Sequence, residues 1–268
     1  MAYIGINNVA RKVTENYIGV NGVARRVVKG YVGDGTELAR MWWGSSFIPG
    51  PDPEPDVPSG DYPVLSQHWS VPLKANIGTL KITKIDLVDS YEPATTPDFS
   101  WAADERSTGA IMGYRYGTEI IIAGNGSGRI SAPVNSKALF YLWDTTTGGL
   151  SPLTEVEELN GLNILDTSNV TSMYSMFDGM NKVRALDVSN FDTRNVTTMQ
   201  QMFTACKQIT SLDLSSFELD NVTHMGSMFV ACPNLKVVYV GEGWQVDSTK
   251  VNTLNMFYDC GCSSVTHK

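Results

Sequence analysis

Apolar and polar positions repeat with a period of about 26 residues in the C-terminal part of the chain. The segment Asn-Val-Thr-Ser-Met-Tyr-Ser-Met-Phe at residues 169–177 recurs at 195–203 and 221–229, with a looser copy at 251–257. Apolar residues at i, i+3, i+6 and i+7 follow the spacing of a helix face, so each copy predicts a short helix. The alternating runs before these copies, such as Leu186-Asp-Val, predict strands. One strand and one helix per repeat predict an α/β leucine-rich-repeat solenoid over residues 157–268.

A second repeat, with a shorter period of about 14 residues, lies at the N-terminus. Tyr-Ile-Gly-Ile-Asn-Asn-Val-Ala-Arg-Lys-Val at residues 3–13 is followed by Tyr-Ile-Gly-Val-Asn-Gly-Val-Ala-Arg-Arg-Val at 17–27 and by a degenerate copy at 31–40. Each copy places a turn dipeptide between two β-prone runs, and Asn21-Gly22 suits the two positive φ angles of a type I′ turn. We therefore expect a β-hairpin array over residues 1–43.

Short hairpins of this kind leave apolar faces and strand edges uncovered. We expect the array to become stable by packing into an assembly, and a small independent meander is the alternative. The candidate docking residues are Tyr3, Tyr17, Tyr31, Asn21, Gly22, Arg25 and Arg26.

Proline marks the boundary between the hairpin array and the rest of the chain. Seven of the twelve prolines lie between residues 44 and 72, where Pro51-Asp-Pro-Glu-Pro alternates proline with acidic residues. Proline favours the extended polyproline II conformation, so residues 44–62 predict a semi-rigid, acidic linker. Strand-like runs such as Glu-Ile-Ile-Ile-Ala at 119–123 predict a mainly β region over residues 63–156 that caps the solenoid. The predicted fold class is therefore mixed.

Three asparagines occupy one position of the repeat. Asn169, Asn195 and Asn221 fall at the predicted strand-to-helix corner, where a side-chain amide can bond to backbone groups that a tight corner leaves unpaired. This predicts a structural ladder along the repeats. Each asparagine is also part of an Asn-Val-Thr glycosylation acceptor, a role that would need a secretory route.

The cysteines are bunched in the last quarter of the sequence. Cys206, Cys232 and Cys260 share one repeat position, so we expect them to stack as small buried residues. Metal ligation would need thiolates converging on one ion, whereas one thiol per repeat spreads them along the stack. The pair Cys260-Gly-Cys262 is local, but this spacing alone is a weak metal signal.

Ligand-binding residues are expected outside the repeat consensus, because the consensus positions are committed to the core. Aromatic and polar side chains meet that description at five positions. The candidate ligand face consists of Tyr174, Gln200, Gln201, His224 and Trp244.

Composition narrows the classes of function. The 268 residues carry a net charge of −8, which argues against a nucleic-acid binder or a protein of anionic membrane surfaces. Three histidines and no His-Glu-x-x-His motif argue against a zinc hydrolase, and we expect neither a metal nor a cofactor. Residues 1–43 carry six basic and three acidic side chains, which leaves −11 on the remainder. This asymmetry predicts two parts with different partners.

The N-terminus predicts a protein that is assembled in a cytoplasm. Met1-Ala-Tyr-Ile-Gly5 lacks the basic segment and apolar run of a signal peptide. The sequence also contains no run of about 18 apolar residues that would predict a membrane span.

Both repeats of the chain resemble elements of known protein families. The pattern Leu-Asp-Val-Ser-Asn-Phe-Asp-Thr-x-Asn-Val-Thr-x-Met-x-x-Met-Phe-x-x-Cys, over about residues 157–262, resembles the BspA-like leucine-rich repeat. The preceding segment, with Asn-Ser-Lys-Ala-Leu-Phe at 135–140, resembles the capping segment that leads into such repeats. The N-terminal hairpins are similar to elements at the start of structural proteins from phages of Gram-positive hosts.

The resemblances imply a non-catalytic, adhesive protein of a phage virion: a head fibre, a decoration protein or a tail adhesin. Residues 1–43 would dock onto capsid or tail proteins, and the solenoid would bind a host-surface protein or glycan. A fibre implies a homo-oligomer, for which a trimer is an option. The alternatives are a bacterial surface or secreted adhesin and, in a third class, a surface-glycan depolymerase, which would need paired carboxylates in a groove.

Overall fold

A computed structural model describes the strand backbones within residues 3–40, and residues 63–69, 81–144, 149–247 and 249–268. Side chains are described for 63–69, 81–141, 152–247 and 249–268. The chain divides into two compact units, Met1–Ser59 and Gly60–Lys268.

Within its described residues, the first unit contains three antiparallel hairpins in equivalent registers. Strand β1 (Tyr3–Ile6) pairs with β2 (Val9–Lys12), β3 (Tyr17–Val20) with β4 (Val23–Arg26), and β5 (Tyr31–Gly33) with β6 (Leu38–Arg40). The tyrosine that opens each hairpin lies opposite a basic residue, as in the pairs Tyr3–Lys12, Tyr17–Arg26 and Tyr31–Arg40. The linker predicted for residues 44–62 lies outside the described residues.

The second unit contains twelve short strands and one 3-10 helix within the described residues. The strands are β7 (Lys84–Val88), β8 (Phe99–Ala102), β9 (Met112–Tyr116), β10 (Glu119–Ala123), β11 (Ile130–Ser131), β12 (Tyr141–Asp144), β13 (Gly149–Pro152), β14 (Glu158–Asn160), β15 (Leu165–Asp166), β16 (Ser211–Leu214), β17 (Val237–Val240) and β18 (Thr266–His267). The 3-10 helix is Leu162–Ile164.

The largest sheet has the strand order β14-β7-β10-β9-β8. Strand β7 runs parallel to both β14 and β10, and the remaining pairs are antiparallel. Ile85, Leu87, Ile120 and Ile122 alternate with more exposed residues on the two central strands and are almost fully buried. This half-buried alternation is the pattern expected of a sheet with one face on a core.

The predicted α/β leucine-rich-repeat solenoid is wrong. The described residues contain no α-helix, and the segments expected to be helical are turns. The amides of Met173, Ser175 and Phe177 donate to carbonyl oxygens in residues 198–202 of the next repeat, each at 3.0 Å. An α-helix requires those amides to bond four residues back along their own segment, so the contacts between repeats replace the helix.

Residues in the left-handed backbone conformation make this turn geometry possible. Ser175, Gln201 and Ser227 have φ angles of 52°, 59° and 59° at one repeat position. Ala205 and Ala231 have φ angles of 57° and 55° four residues further on. A residue with positive φ interrupts a right-handed helix, because L-residues cannot continue the helix through that conformation.

A column of stacked phenylalanine rings forms the centre of the repeats. Phe140, Phe177, Phe203, Phe229 and Phe257 follow one another with ring centroids 5.2–5.9 Å apart and interplanar angles of 4–20°. The core is continuous from Leu65 to Val251, so the β-rich region and the repeats share one buried cluster.

The repeats begin earlier than the repeated sequence pattern indicates. Parallel single-residue bridges join equivalent residues of five successive turns: Asn135, Ser172, Thr198, His224 and Asn252. Residues 135–140, expected to belong to a capping segment, therefore form the first turn of this stack. We call the five turns, at 135–140, 172–177, 198–203, 224–229 and 252–257, the repeat stack.

The N-terminal end of the repeat stack is covered by side chains from within the chain. The indole N–H of Trp69 donates to the Leu139 carbonyl at 2.7 Å, and the Gln67 amide donates to the Lys137 carbonyl at 3.2 Å. The Trp69 carbonyl in turn accepts a bond of 2.6 Å from the indole of Trp101. These donors satisfy carbonyl groups that no preceding turn pairs with.

Candidate binding face

Polar side chains line one side of the repeat stack in three columns. The columns consist of Thr171, Thr197 and Thr223; of Asn135, Ser172, Thr198, His224 and Asn252; and of Lys137, Tyr174 and Gln200. We call this surface the ladder face. A shallow, open groove runs across it, lined by all of these residues except Asn252.

The threonine column is bonded twice at each step. Thr197 donates to the Thr171 carbonyl through its backbone N–H at 2.8 Å and its hydroxyl at 3.0 Å. Thr223 donates to the Thr197 carbonyl in the same way, at 2.9 and 3.1 Å. The hydroxyl hydrogens are engaged within the protein, so the oxygens offer acceptor lone pairs to a ligand.

Tyr174 is the aromatic residue of the ladder face and is held on two sides. Its hydroxyl donates to the side-chain oxygen of Gln201. The ammonium of Lys137 lies 5.0 Å from the centre of its ring, within the range of a cation–π interaction. The ring therefore occupies a defined position, which reduces the ordering cost of contacting a ligand.

His224 is exposed and contacts its neighbour in the threonine column. The Nδ1 atom lies 2.8 Å from the Thr223 hydroxyl oxygen. When that hydroxyl donates to the Thr197 carbonyl, Nδ1 must carry the hydrogen, which leaves Nε2 of the neutral ring as an acceptor. The ladder face then presents two kinds of hydrogen-bond acceptor, the threonine oxygens and Nε2 of His224, together with the Lys137 ammonium.

The structure brings three of the five candidate ligand residues together. Tyr174, Gln200 and His224 line the ladder face, and Gln201 supports Tyr174 from the adjacent position. Trp244, expected among the ligand residues, is instead a core residue with 3% of its surface exposed. The apolar area of its indole explains this placement, since burying an aromatic ring is more favourable than exposing it.

The repeated asparagines bond between repeats. The amide of Asn195 donates to the Ser168 carbonyl at 2.7 Å, and that of Asn221 donates to the Arg194 carbonyl at 2.6 Å. Asn169, at the first position of the series, is exposed. Two of the three amides therefore tie one repeat to the preceding one.

The repeated cysteines lie beside the phenylalanine column. Cys206 and Cys232 are buried, and their thiols donate to the carbonyls of Phe177 and Phe203 at 3.3 and 3.0 Å. Burial raises the pKa of Cys206 and raises that of Cys232 to about 12, so both stay protonated. Cys260 is half-buried, with its sulfur 3.7 Å from that of Cys262.

The described residues contain no group of three or more His, Cys, Asp or Glu side chains that could hold a metal ion. The same part of the chain contains no helix with the length and apolarity needed to cross a bilayer.

The docking residues expected at the N-terminus are described only in part. Tyr3, Tyr17 and Tyr31 open their hairpins, and Arg25 and Arg26 lie on the returning strand β4. Asn21 and Gly22 lie outside the described residues. The role of this group in docking stays a prediction.

Sequence reasoning missed Lys137 and the threonine column. The signal for Lys137 was present, because Asn-Ser-Lys-Ala-Leu-Phe at 135–140 shares the spacing Asn-x-x-x-(Leu/Met)-Phe with residues 252–257. The threonines follow each repeated asparagine by two positions and so belong to the repeat consensus. Their exposure depends on the turn conformation, which the helix prediction did not provide.

Residues 151–266 match a family model described as a Mycoplasma protein of unknown function, DUF285. The match covers less than half of the chain and contains four of the five turns of the repeat stack. No curated protein matches the chain, and no solved structure does.

Proposed function

We propose that this protein is a non-catalytic structural and adhesion protein of a phage virion. In this proposal, residues 1–43 dock onto capsid or tail proteins, and the ladder face binds a protein or glycan of the host surface. The single observation that carries the binding role is the convergence of Tyr174, Gln200 and His224 on one exposed face.

The ladder face suits reversible adhesion for two physical reasons. Its side chains project from a backbone that is hydrogen-bonded at every step and packs on the column of phenylalanine rings, the first four of which are buried. Little ordering is therefore required when a ligand binds, which favours affinity. Many copies on one particle would add avidity, so weak binding by each copy is sufficient.

The tandem hairpins support the docking role. Two-stranded hairpins expose edges and are marginally stable alone, so an assembly that covers them stabilises the fold. The basic balance of residues 1–43 differs from the acidic remainder, which supports separate partners for the two ends.

Adsorption to cells tests the ladder face. The full chain and a triple variant, Tyr174→Ala, Gln200→Ala and His224→Ala, are compared for binding to intact Gram-positive cells and to their purified wall glycan and surface proteins. A matched control replaces three exposed residues outside the ladder face by alanine: Gln208, Lys236 and Glu242. We expect the first variant to lose binding and the control to retain it. Equal adsorption by both variants would reject the ladder face as the site.

Particle incorporation tests the docking role. A chain lacking residues 1–43 is expected to fold through its second unit but to be absent from purified virions. Incorporation at the normal level would contradict docking through this segment. Detection of the protein on cells that carry no phage genes would instead favour a bacterial adhesin.

A further inference from the structure

Among the residues that the structure describes, backbone donors of the last turn of the repeat stack find no acceptor. In the preceding repeat, the amides of Met225, Ser227, Phe229 and Ala231 donate to the next turn at 2.8–3.1 Å. The equivalent amides of the last turn have no acceptor among the residues that the structure describes. They belong to Thr253, Asn255, Phe257 and Asp259. We call residues 253–259 the C-terminal edge.

The C-terminal edge keeps the shape that allows another turn to be added. Asn255 and Asp259 have φ angles of 58° and 54°, and the equivalent Ser227 and Ala231 have angles of 59° and 55°. The amides therefore point away from the stack in the same arrangement as those that are bonded in earlier repeats. A partner would meet preorganised donors, which lowers the cost of binding.

Apolar side chains surround these donors. Leu254 and Tyr258 are 70% and 68% exposed, the two highest values among the large apolar residues described. Phe257 is only partly buried, although the phenylalanines before it in the column are fully buried. Its ring stacks on Phe229 at 5.2 Å, and no other described ring stacks on it. Covering this surface would remove apolar area from water.

The polarity of the edge restricts what can cover it. The carbonyl oxygens of Asn252, Leu254, Met256 and Tyr258 already accept bonds from the preceding repeat, so the backbone groups left for a further turn are the N–H groups of the alternate residues. The same edge of a second copy would place donors against donors. At the other end of the stack, two of the complementary carbonyls, those of Lys137 and Leu139, are occupied by Gln67 and Trp69.

We propose that the C-terminal edge binds an extended polypeptide segment of a partner protein. The segment lies parallel to residues 253–259, supplies a row of backbone carbonyls to the four amides and covers Leu254, Tyr258 and Phe257. The protein itself shows this mode of recognition at each step inside the repeat stack. Addition of a segment to an open edge is a general mode of peptide recognition. This inference does not depend on the ladder face or on the virion role.

Amide hydrogen exchange in the full chain, with a synthetic peptide of residues 221–236 as the probe, tests the proposal. This peptide contains the carbonyls of His224, Gly226, Met228 and Val230, which accept bonds from the preceding turn inside the stack. A scrambled peptide is the control. We expect rapid exchange at the four edge amides in the free protein, slow exchange at Met225 and Phe229, and slowing at the edge when the peptide binds saturably.

Two surface variants distinguish binding at the C-terminal edge from nonspecific binding to exposed apolar side chains. The double variant Leu254→Lys, Tyr258→Lys should bind the peptide at least about tenfold more weakly. The variant Val134→Lys replaces another exposed apolar side chain, 56% exposed and outside the edge, and should bind it unchanged. Circular dichroism confirms that each variant is folded.

Three results would overturn the proposal. The first is the absence of saturable binding to the folded protein. The second is binding that Leu254→Lys, Tyr258→Lys leaves unaltered. The third is protection of the four edge amides without peptide that increases with protein concentration, because a second copy would then cover the edge.

Discussion

Removing one ring from the middle of the phenylalanine column should destabilise the second unit strongly. Phe203 is fully buried, with centroids 5.6 Å from Phe177 and 5.9 Å from Phe229 and interplanar angles of 10° and 4°. Phe203→Ala removes a buried aromatic side chain, which costs about 3–5 kcal/mol in protein cores. Each lost aromatic pair is worth roughly 0.5–1.5 kcal/mol beyond its buried area. Because Phe203 stacks on two neighbours, we expect Phe203→Ala to lower the free energy of unfolding by about 4–5 kcal/mol, near the upper end of the range for cores.

The end of the same column provides the matched comparison. Phe257 stacks on Phe229 alone and is partly buried, so Phe257→Ala should cost about 2 kcal/mol, with a smaller cavity and one lost pair. A domain is typically stable by about 5–15 kcal/mol, so the difference between the variants is readily measured.

Urea unfolding of the full-length variants measures both losses. The fluorescence of the buried Trp69, Trp101 and Trp244 reports on the second unit, and linear extrapolation gives its free energy of unfolding. An unchanged dependence on urea would show that the variants unfold the same structure. If Phe203→Ala lowers the free energy of unfolding no more than Phe257→Ala does, stacking within the column does not stabilise the repeats.

Three further predictions follow from single positions. Ala205→Gly should raise the free energy of unfolding by about 0.5–1 kcal/mol. The φ of 57° at this position strains alanine, and the relief of that strain exceeds the cost of ordering the more flexible glycine. A lower free energy of unfolding in urea would contradict this. In thiol labelling at pH 8, Cys206 and Cys232 should stay unmodified until the protein is denatured, and rapid reaction in the folded protein would show that they are accessible. Lys268→Met removes the ion pair with Asp213, whose pKa is lowered to about 2 mainly by the hydrogen bond from Lys268 and then by Ser215. That carboxylate is about half exposed, so the loss at pH 7 should be about 1 kcal/mol or less. Because the pKa of Asp213 is lower in the folded protein than in the unfolded chain, the ion pair stabilises the fold above about pH 4 and stops doing so as the pH falls toward 2. The difference in thermal unfolding between Lys268→Met and the parent should therefore shrink over that range. A difference that grows instead would contradict the pairing.

The sequence pattern predicts burial correctly at the repeated positions. The periodicity identifies Met199, Met202 and Phe203 as equivalent to residues of the neighbouring copies, and the structure places all three in the core. Equivalent residues stack because identical turns lie in register, which is a property of the repeat itself. The same reasoning placed Tyr174 and His224 outside the core, and both lie on the ladder face.

Trp244 shows where position relative to a consensus is insufficient. It lies between repeats and matches no repeated position, which suggested a surface role. In the structure it is 3% exposed. Only the packing of neighbouring repeats determines whether an indole outside the consensus finds an apolar site.

By itself, the sequence determined the length of each repeat, the equivalence of its positions and the apolar residues that face inward. The tertiary structure alone decided that these segments are turns and not helices. Apolar spacing of i, i+3, i+6 and i+7 is compatible with both, because it reports which side chains share a face. The choice depends on the partner of each amide. In the repeats that partner is a carbonyl of the next copy, as between Met173 and Thr198, and no local pattern can indicate it.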